Sequence, residues 1–170
     1  TTPQSNFFAE NICFSDTANF VNTSSISQGI MNYEWDFGDN NTSTSISPQY
    51  IYQFPETFEV SLISISANLC TDSIIQEIIV YPLPILSLPG FNSSYCENEN
   101  AQLISPNLVG GLLSGNGITG STFYPNLANL GTNIITYAYT DIYGCSDTLE
   151  PAVDILPAPS VSLIGLNTNY

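Results

Sequence analysis

The feature that most restricts this chain is an internal repeat. Shifted by 75 positions, Cys70-Thr71-Asp72-Ser73-Ile74 falls on Cys145-Ser146-Asp147-Thr148-Leu149, and Pro82-Leu83-Pro84 falls on Pro157-Ala158-Pro159. Further on, Ser87, Leu88, Gly90, Asn92 and Tyr95 fall on Ser162, Leu163, Gly165, Asn167 and Tyr170. A repeat of this length without gaps implies consecutive copies of one folding unit. The two Pro-x-Pro segments read as the joints, because proline removes a backbone donor, fixes φ and biases its predecessor toward extended conformations. Such linkers hold neighbours semi-rigidly. The expected division is 1–82, 83–157 and the start of a third repeat at 158–170. On the same offset Cys96 maps one residue past Tyr170, so a further cysteine is expected there in a longer protein.

Within each unit the hydrophobic period is two. Phe58, Val60 and Leu62 alternate with Glu59 and Ser61, and Ile135, Tyr137 and Tyr139 alternate with Thr136, Ala138 and Thr140. These are half-buried strands rich in β-branched and aromatic residues. Ile74 to Val80 is a further strand candidate. Turn signals are frequent, at Phe37-Gly38-Asp39-Asn40, Ala67-Asn68-Leu69, Gly110-Gly111, Asn116-Gly117 and Tyr143-Gly144, and no convincing helix of ten or more residues is present. The expected class is all-β, as tandem β-sandwiches joined by the Pro-x-Pro linkers.

Charge then limits function. The chain carries 15 Asp plus Glu and no Lys, Arg or His, for a net charge of −15. At 43% hydrophobic residues it is too apolar to be a disordered acidic tail. Without cations it cannot neutralise phosphates, so nucleic acid is excluded as a partner, and anionic membrane surfaces repel it. No apolar stretch is long enough for direct membrane insertion. No Ser-His-Asp triad, Cys-His pair or Schiff-base lysine can be assembled. Only paired carboxylates would remain for catalysis, so no enzyme activity and no catalytic residue is expected. No cofactor is expected either, with calcium the one cation that oxygen-only ligands such as Asp36, Asp39, Glu97 and Glu99 would suit. The competing expectation is that these carboxylates accept bonds from turn backbone.

Four cysteines fall two per unit: Cys13 and Cys70, then Cys96 and Cys145. Thiolate metal binding is the rival of disulfide formation, but there is no C-x-x-C spacing and no His. The repeat selects within-unit pairing, Cys13–Cys70 and Cys96–Cys145, since each unit should close in the same way. Disulfides place the chain in an oxidising, extracellular setting.

Tyr33-Glu34-Trp35-Asp36-Phe37-Gly38-Asp39-Asn40, with Tyr50, Tyr52 and then Phe58-Glu59-Val60, resembles the PKD domain over about residues 10–82. That family is a β-sandwich of immunoglobulin-like shape found in extracellular proteins, some members of which bind calcium. The signature residues Trp35, Asp36, Phe37, Gly38, Asp39 and Tyr52 are expected to be structural. Trp35 and Phe37 share one strand face toward the core, and Gly38 to Asn40 make the turn, with Asn40 in a left-handed conformation. The second unit is similar to the Ig-like repeats of very large Bacteroidetes surface proteins. Tyr95-Cys96-Glu97, Ser114-Gly115-Asn116-Gly117, Phe123-Tyr124-Pro125, Gly131-Thr132, Ile135-Thr136-Tyr137 and Gly144-Cys145 carry that likeness. It implies a cell-surface adhesin exported by the type IX system, of the gliding-motility kind. Bacteroidetes O-glycosylate Ser or Thr in Asp-(Ser/Thr)-aliphatic triplets, and Asp16-Thr17-Ala18, Asp72-Ser73-Ile74 and Asp147-Thr148-Leu149 look like that motif. The candidate glycosylation sites are therefore Thr17, Ser73 and Thr148.

Gly115-Asn116-Gly117-Ile118-Thr119-Gly120 spells a dinucleotide fingerprint, but Ser121 to Pro125 does not start a helix, so a turn-rich β segment is expected. The tyrosines could stack on sugars if exposed, although alternating strands need core aromatics anyway. The leading reading is a structural and adhesive repeat segment of a long extracellular filament or stalk at the cell surface. Its partners are neighbouring repeats of the same chain, with surface polysaccharide or other cells beyond them. The alternative is a carbohydrate- or protein-binding accessory module of a secreted hydrolase.

Overall fold

The alternation at Phe58, Val60 and Leu62 folds as a strand whose inward residues are all buried. The structure, a computed structural model, describes residues 1–160, which group into two units. Unit one is Thr1–Leu83 together with Ile142–Cys145, and unit two is Pro84–Asp141 together with the chain from Ser146 onward. The turn 142–145, placed in the second repeat by sequence, thus belongs with unit one. From residue 161 the expected start of a third repeat lies outside the described residues.

Unit one contains β1 (Phe7–Phe8), β2 (Ile12–Cys13), β3 (Ala18–Asn19), β4 (Val21–Asn22), β5 (Met31–Asp36), β6 (Thr42–Ser43), β7 (Gln49–Tyr50), β8 (Thr57–Ser66) and β9 (Thr71–Tyr81). A five-stranded sheet runs β2-β9-β8-β5-β6, and the short pairs β1-β4 and β3-β7 supply the facing layer. The β8–β9 hairpin pairs from Thr57↔Ile79 to Ile65↔Thr71, and β2 adds to β9 in parallel, Ile12↔Val80 and Cys13↔Tyr81. Trp35 and Phe37 are buried together, as their spacing predicts. Around them packs an aromatic core: Phe7 lies edge-on to Trp35 at 5.0 Å, Phe20 meets Phe37 at 5.3 Å, and Tyr52 stacks on Phe58 at 4.1 Å. The Trp35 indole keeps its polar atom satisfied by donating to the Ser45 carbonyl at 2.9 Å. Inward positions of β8 continue past Leu62 as Ser64 and Ser66, both buried. Ser64 bonds the hydroxyls of Ser5 and Ser24, so the polar residues in this face are paired rather than stranded.

Unit two contains β10 (Ser94–Cys96), β11 (Gln102–Leu103), β12 (Leu112–Gly115), β13 (Ile118–Thr119), β14 (Thr122–Phe123), a 3₁₀ turn at Pro125–Leu127, β15 (Gly131–Thr140), β16 (Ser146–Leu149) and β17 (Ala152–Leu156). One sheet runs β10-β17-β15-β12 with β16 also on β15, and the second runs β11-β14-β13. Tyr95, Ile104, Phe123, Ile135, Val153 and Ile155 form the core between them. The β9 strand of unit one corresponds at an offset of 75 to β16 plus β17, split where Glu150-Pro151 interrupts the ladder. The glycine-rich 115–120 segment is a tight β turn pair, not a nucleotide loop. Gly117 has φ +81°, and a Cβ there would stand 2.7 Å from the Tyr124 carbonyl oxygen.

The cysteine pairing differs from the expectation. Cys13 bonds Cys145, with Cα atoms 5.4 Å apart, while Cys70 and Cys96 are free thiols. Register explains why neither Cys13–Cys70 nor Cys96–Cys145 forms. Cys13 stands beside Tyr81, the last residue of β9, whereas Cys70 precedes Thr71, the first. At about 3.3 Å per residue that strand separates them by roughly 35 Å, against the ~4.4–6.8 Å that a disulfide spans. In the second repeat Cys96 stands beside Leu156, next to the Gly131 end of β15, and Cys145 adjoins Ser146 at its Thr140 end. In both repeats the two cysteines mark opposite ends of the same long strand.

Candidate functional site

The residues singled out by sequence fall into four places. The first is the acidic turn after β5. Phe37 N–H donates to the Asn41 carbonyl at 3.0 Å, closing a loop in which Gly38 has φ +82° and Asn40 φ +71°. A Cβ on Gly38 would lie 2.7 Å from the Glu59 carbonyl oxygen, so the turn presses against β8 too closely for any side chain. Asp36 accepts from Gly38 N–H at 2.9 Å and Asp39 accepts from Asn41 N–H at 3.1 Å. The other Asp39 oxygen accepts from the Tyr50 hydroxyl at 2.6 Å, and the Tyr52 hydroxyl donates to the Phe37 carbonyl at 3.1 Å. Signature residues 35–39 and Tyr52 are thus brought together with Tyr50 as a clamp on the turn. Burial pushes the Asp39 carboxyl up, but the bonds from Tyr50 and Asn41 outweigh it and leave the carboxyl below its ordinary value. Burial, then the bond to Asp39 and its charge, push Tyr50 up to about 12. Tyr52 is raised as well, by burial first and then by the nearby Asp39, Tyr50 and Asp36.

The second place is the acidic loop after β10. Glu99 accepts from Cys96 N–H at 2.7 Å and Glu97 from Ala158 N–H at 3.3 Å. Both acidic loops therefore spend carboxylate oxygens on backbone, and among the described residues no three His, Cys, Asp or Glu side chains gather as a metal site.

Third come the three hydroxyl candidates. Thr17, Ser73 and Thr148 are all exposed and lie far apart in sequence, Ser73 on β9 and Thr148 on β16. Their aspartates have structural bonds: Asp72 accepts from Ser5 N–H at 2.7 Å and Asp147 from Thr148 N–H at 2.8 Å.

The fourth is a groove of about 600 Å³ in unit two, flanked by Leu103, Ile104, Pro106, Val109 and Tyr137. Tyr137 is its aromatic residue, yet the ring is buried and its hydroxyl donates to the Leu108 carbonyl while accepting from Gly111 N–H. It offers no free face for stacking on a sugar. No helix of the described residues is long and apolar enough to cross a membrane. Sequence reasoning did not single out the Tyr50–Asp39 bond or the Ser5–Ser64–Asp72 cluster. The inward position of Ser64, two after Leu62, was the available signal for the latter.

Comparison with known proteins bears on the first unit. No curated protein matches the chain. Among solved structures, the PKD1 domain of Vibrio anguillarum Epp is 24% identical, covering 48% of this chain and 96% of that one, with a TM-score of 0.44. The PKD1 domain of the Vibrio cholerae metalloprotease PrtV is 29% identical, covering 48% and 99%, also at 0.44. A structure of carbohydrate-binding modules from the β-sandwich superfamily is 20% identical, covering 82% and 55%, at 0.48. The PKD domain family matches residues 1–80, the stretch that holds the Trp35–Asp39 signature, the tyrosine clamp and the β8–β9 hairpin. Residues 1–80 are a PKD domain.

Proposed function

We propose that this chain is a non-catalytic structural and adhesive repeat segment of a long extracellular surface filament or stalk, of the bacterial adhesin kind. One observation carries the reading: two successive sandwiches close in the same way, a short strand added in parallel to the last, as Cys13↔Tyr81 and Cys96↔Leu156. A module built twice on one plan serves to extend or multiply a surface. A PKD domain and a disulfide are both typical of extracellular proteins. A chain of net charge −15 without a single cation also repels its like-charged neighbours, which favours extension.

The open reading frame that encodes this chain tests the reading, together with immunogold labelling of the cells that produce it. Further units at a spacing near 75 residues and label at a distance from the cell envelope are expected. A neighbouring catalytic domain and no further units would replace the stalk with an accessory module of a secreted hydrolase. In the same cells Thr17, Ser73 and Thr148 are proposed O-glycan carriers, supported by their exposure after an aspartate. Intact mass of protein from the native host should exceed the sequence mass by whole glycans, and a mass equal to the sequence would remove that assignment.

A further inference from the structure

We infer that Cys70 and Cys96 are the two open halves of a bridge that recurs along the repeats, each awaiting a cysteine from a further unit. The inference rests on the reading of the chain as a repeat segment and adds a covalent partner to it.

Cys96 occupies the strand position of Cys13. Each lies on a short strand that adds in parallel to the last strand of its unit, β2 on β9 and β10 on β17, beside Tyr81 for Cys13 and Leu156 for Cys96. The next residue donates to the last strand in both, Phe14 N–H to Tyr81 O at 2.8 Å and Glu97 N–H to Leu156 O at 2.9 Å. The cysteine carbonyl then accepts from the residue three on in both, from Asp16 N–H at 3.0 Å and from Glu99 N–H at 3.0 Å, with Ser15 left-handed in the first turn only. Cys70 occupies the site of Cys145: each ends a hairpin turn, just before Thr71↔Ile65 and Ser146↔Thr140, in the repeated Cys-(Thr/Ser)-Asp-(Ser/Thr) run.

The bonded pair, Cys13–Cys145, joins a cysteine on the parallel strand β2 to a turn cysteine supplied by the following repeat, and unit one is complete only with that turn, 142–145. Inside the turn Tyr143 stacks on Tyr81 at 4.1 Å, next to the disulfide. The same rule applied once forward gives Cys96 the turn cysteine of the next repeat. Applied once backward, it gives Cys70 the parallel-strand cysteine of a preceding one. Both thiols are half-buried and neither has a partner among the cysteines of this chain. The bond forms by exchange with a protein or glutathione disulfide. The two thiols lose two protons and two electrons as their S–S bond forms, and the oxidant's S–S bond breaks to two thiols.

The test adds one repeat. A second copy of residues 85–157 is joined after Pro159, preserving the Pro-x-Pro joint, and the product is oxidised in a glutathione redox buffer. Disulfide mapping should find Cys13–Cys145 and a new bond from Cys96 to the added copy's Cys145, leaving two of six thiols titratable. C96S in the same tandem should raise that number to three. Four free thiols, or a bond from the added Cys96 to the added Cys145, would overturn the proposal. Should the added copy fail to fold, the 170-residue chain decides alone. Oxidised at high concentration, it should form Cys96-to-Cys70 bonds between copies in excess of the symmetric ones, as a ladder on non-reducing gels, and glutathione-capped monomer would overturn it. The filament reading fails separately, through a gene without further units.

Discussion

The two units share a strand plan but are filled differently. Unit one closes on a continuous aromatic series, Phe7, Phe20, Trp35, Phe37, Tyr50, Tyr52 and Phe58, and its final strand runs unbroken for eleven residues. Unit two uses Tyr95 and Phe123 with aliphatic residues, and Pro151 splits the corresponding strand. Where unit one buries the hydroxyls of Ser64 and Ser66, unit two buries the amide of Asn133. Asn133 donates to the carbonyls of Asn129 at 2.7 Å and Gly131 at 3.0 Å, and accepts from Asn129 N–H at 3.2 Å, fixing the approach to β15. Backbone pairing and turn position therefore carry the architecture, and core composition is free to vary so long as volume is filled.

The largest expected difference between the units comes from the disulfide. It closes a sequence separation of 132 residues, which in the chain-entropy model stabilises by about 5 kcal/mol. Calorimetry should resolve two transitions, since two units need not unfold together. C13S and C145S should each lower the unit-one transition by a similar, large amount, and dithiothreitol should do the same to the unsubstituted chain. C70S and C96S should leave it in place. If C70S lowered the transition as C13S does, the within-repeat pairing would be restored and the register of β2 on β9 would be wrong.

What is legible in the sequence follows from the physics of each element. The long strands β8, β9 and β15 announce themselves, because period two over ten residues is an unmistakable pattern, and Gly38 with Asn40 marks the turn by the backbone conformation it demands. Two-residue strands such as β1, β3, β4 and β7 carry no period and exist only because the long strands leave an apolar face to cover. The cysteine pairing escapes the sequence for a sharper reason. Identical closure of every repeat is satisfied equally well by a bond within each repeat and by a bond from each repeat to the next, and spacing does not reveal which end of an eleven-residue strand a cysteine occupies. Likewise the Tyr50–Asp39 bond joins residues eleven apart across a turn, where nothing in the local sequence records the meeting.

Next in size is the loss of a core aromatic. Trp35→Ala removes a fully buried ring and its bond to Ser45 and should cost about 3–5 kcal/mol, lowering the unit-one transition. Phe123→Ala should do the same to unit two. Each substitution moving only its own transition would show that the cores are energetically separate, and a shift of both by W35A would show that they are one cooperative body. Smaller again is the turn. Gly38→Ala meets the Glu59 carbonyl oxygen and a left-handed φ, for about 1–3 kcal/mol. Asn40→Gly, which frees a side chain already at positive φ, should change stability by only a few tenths of a kcal/mol. Urea midpoints of the two variants, read by Trp35 fluorescence, check the ranking.

The pH dependence of the tyrosine clamp is the most local effect, and it belongs to unit one alone. Tyr50 is raised from 10.0 to about 12, so the fold favours its protonated form. Its contribution is complete below pH 10 and is lost as pH rises from there through about 12, because the unfolded chain releases the proton first. Asp39 lies below its ordinary value of 3.8, so its contribution has the opposite sense: it is complete above that value and lost as pH falls below it. Tyr50→Phe removes one bond to a charged acceptor, for about 1 kcal/mol near neutrality. It should also flatten the unit-one stability curve between pH 10 and 12, and move the acid limb toward the unperturbed carboxyl range. An alkaline limb of unchanged slope in Y50F would mean that the hydroxyl does not hold the turn through Asp39, and that the clamp rests on Tyr52 and the Phe37 carbonyl instead.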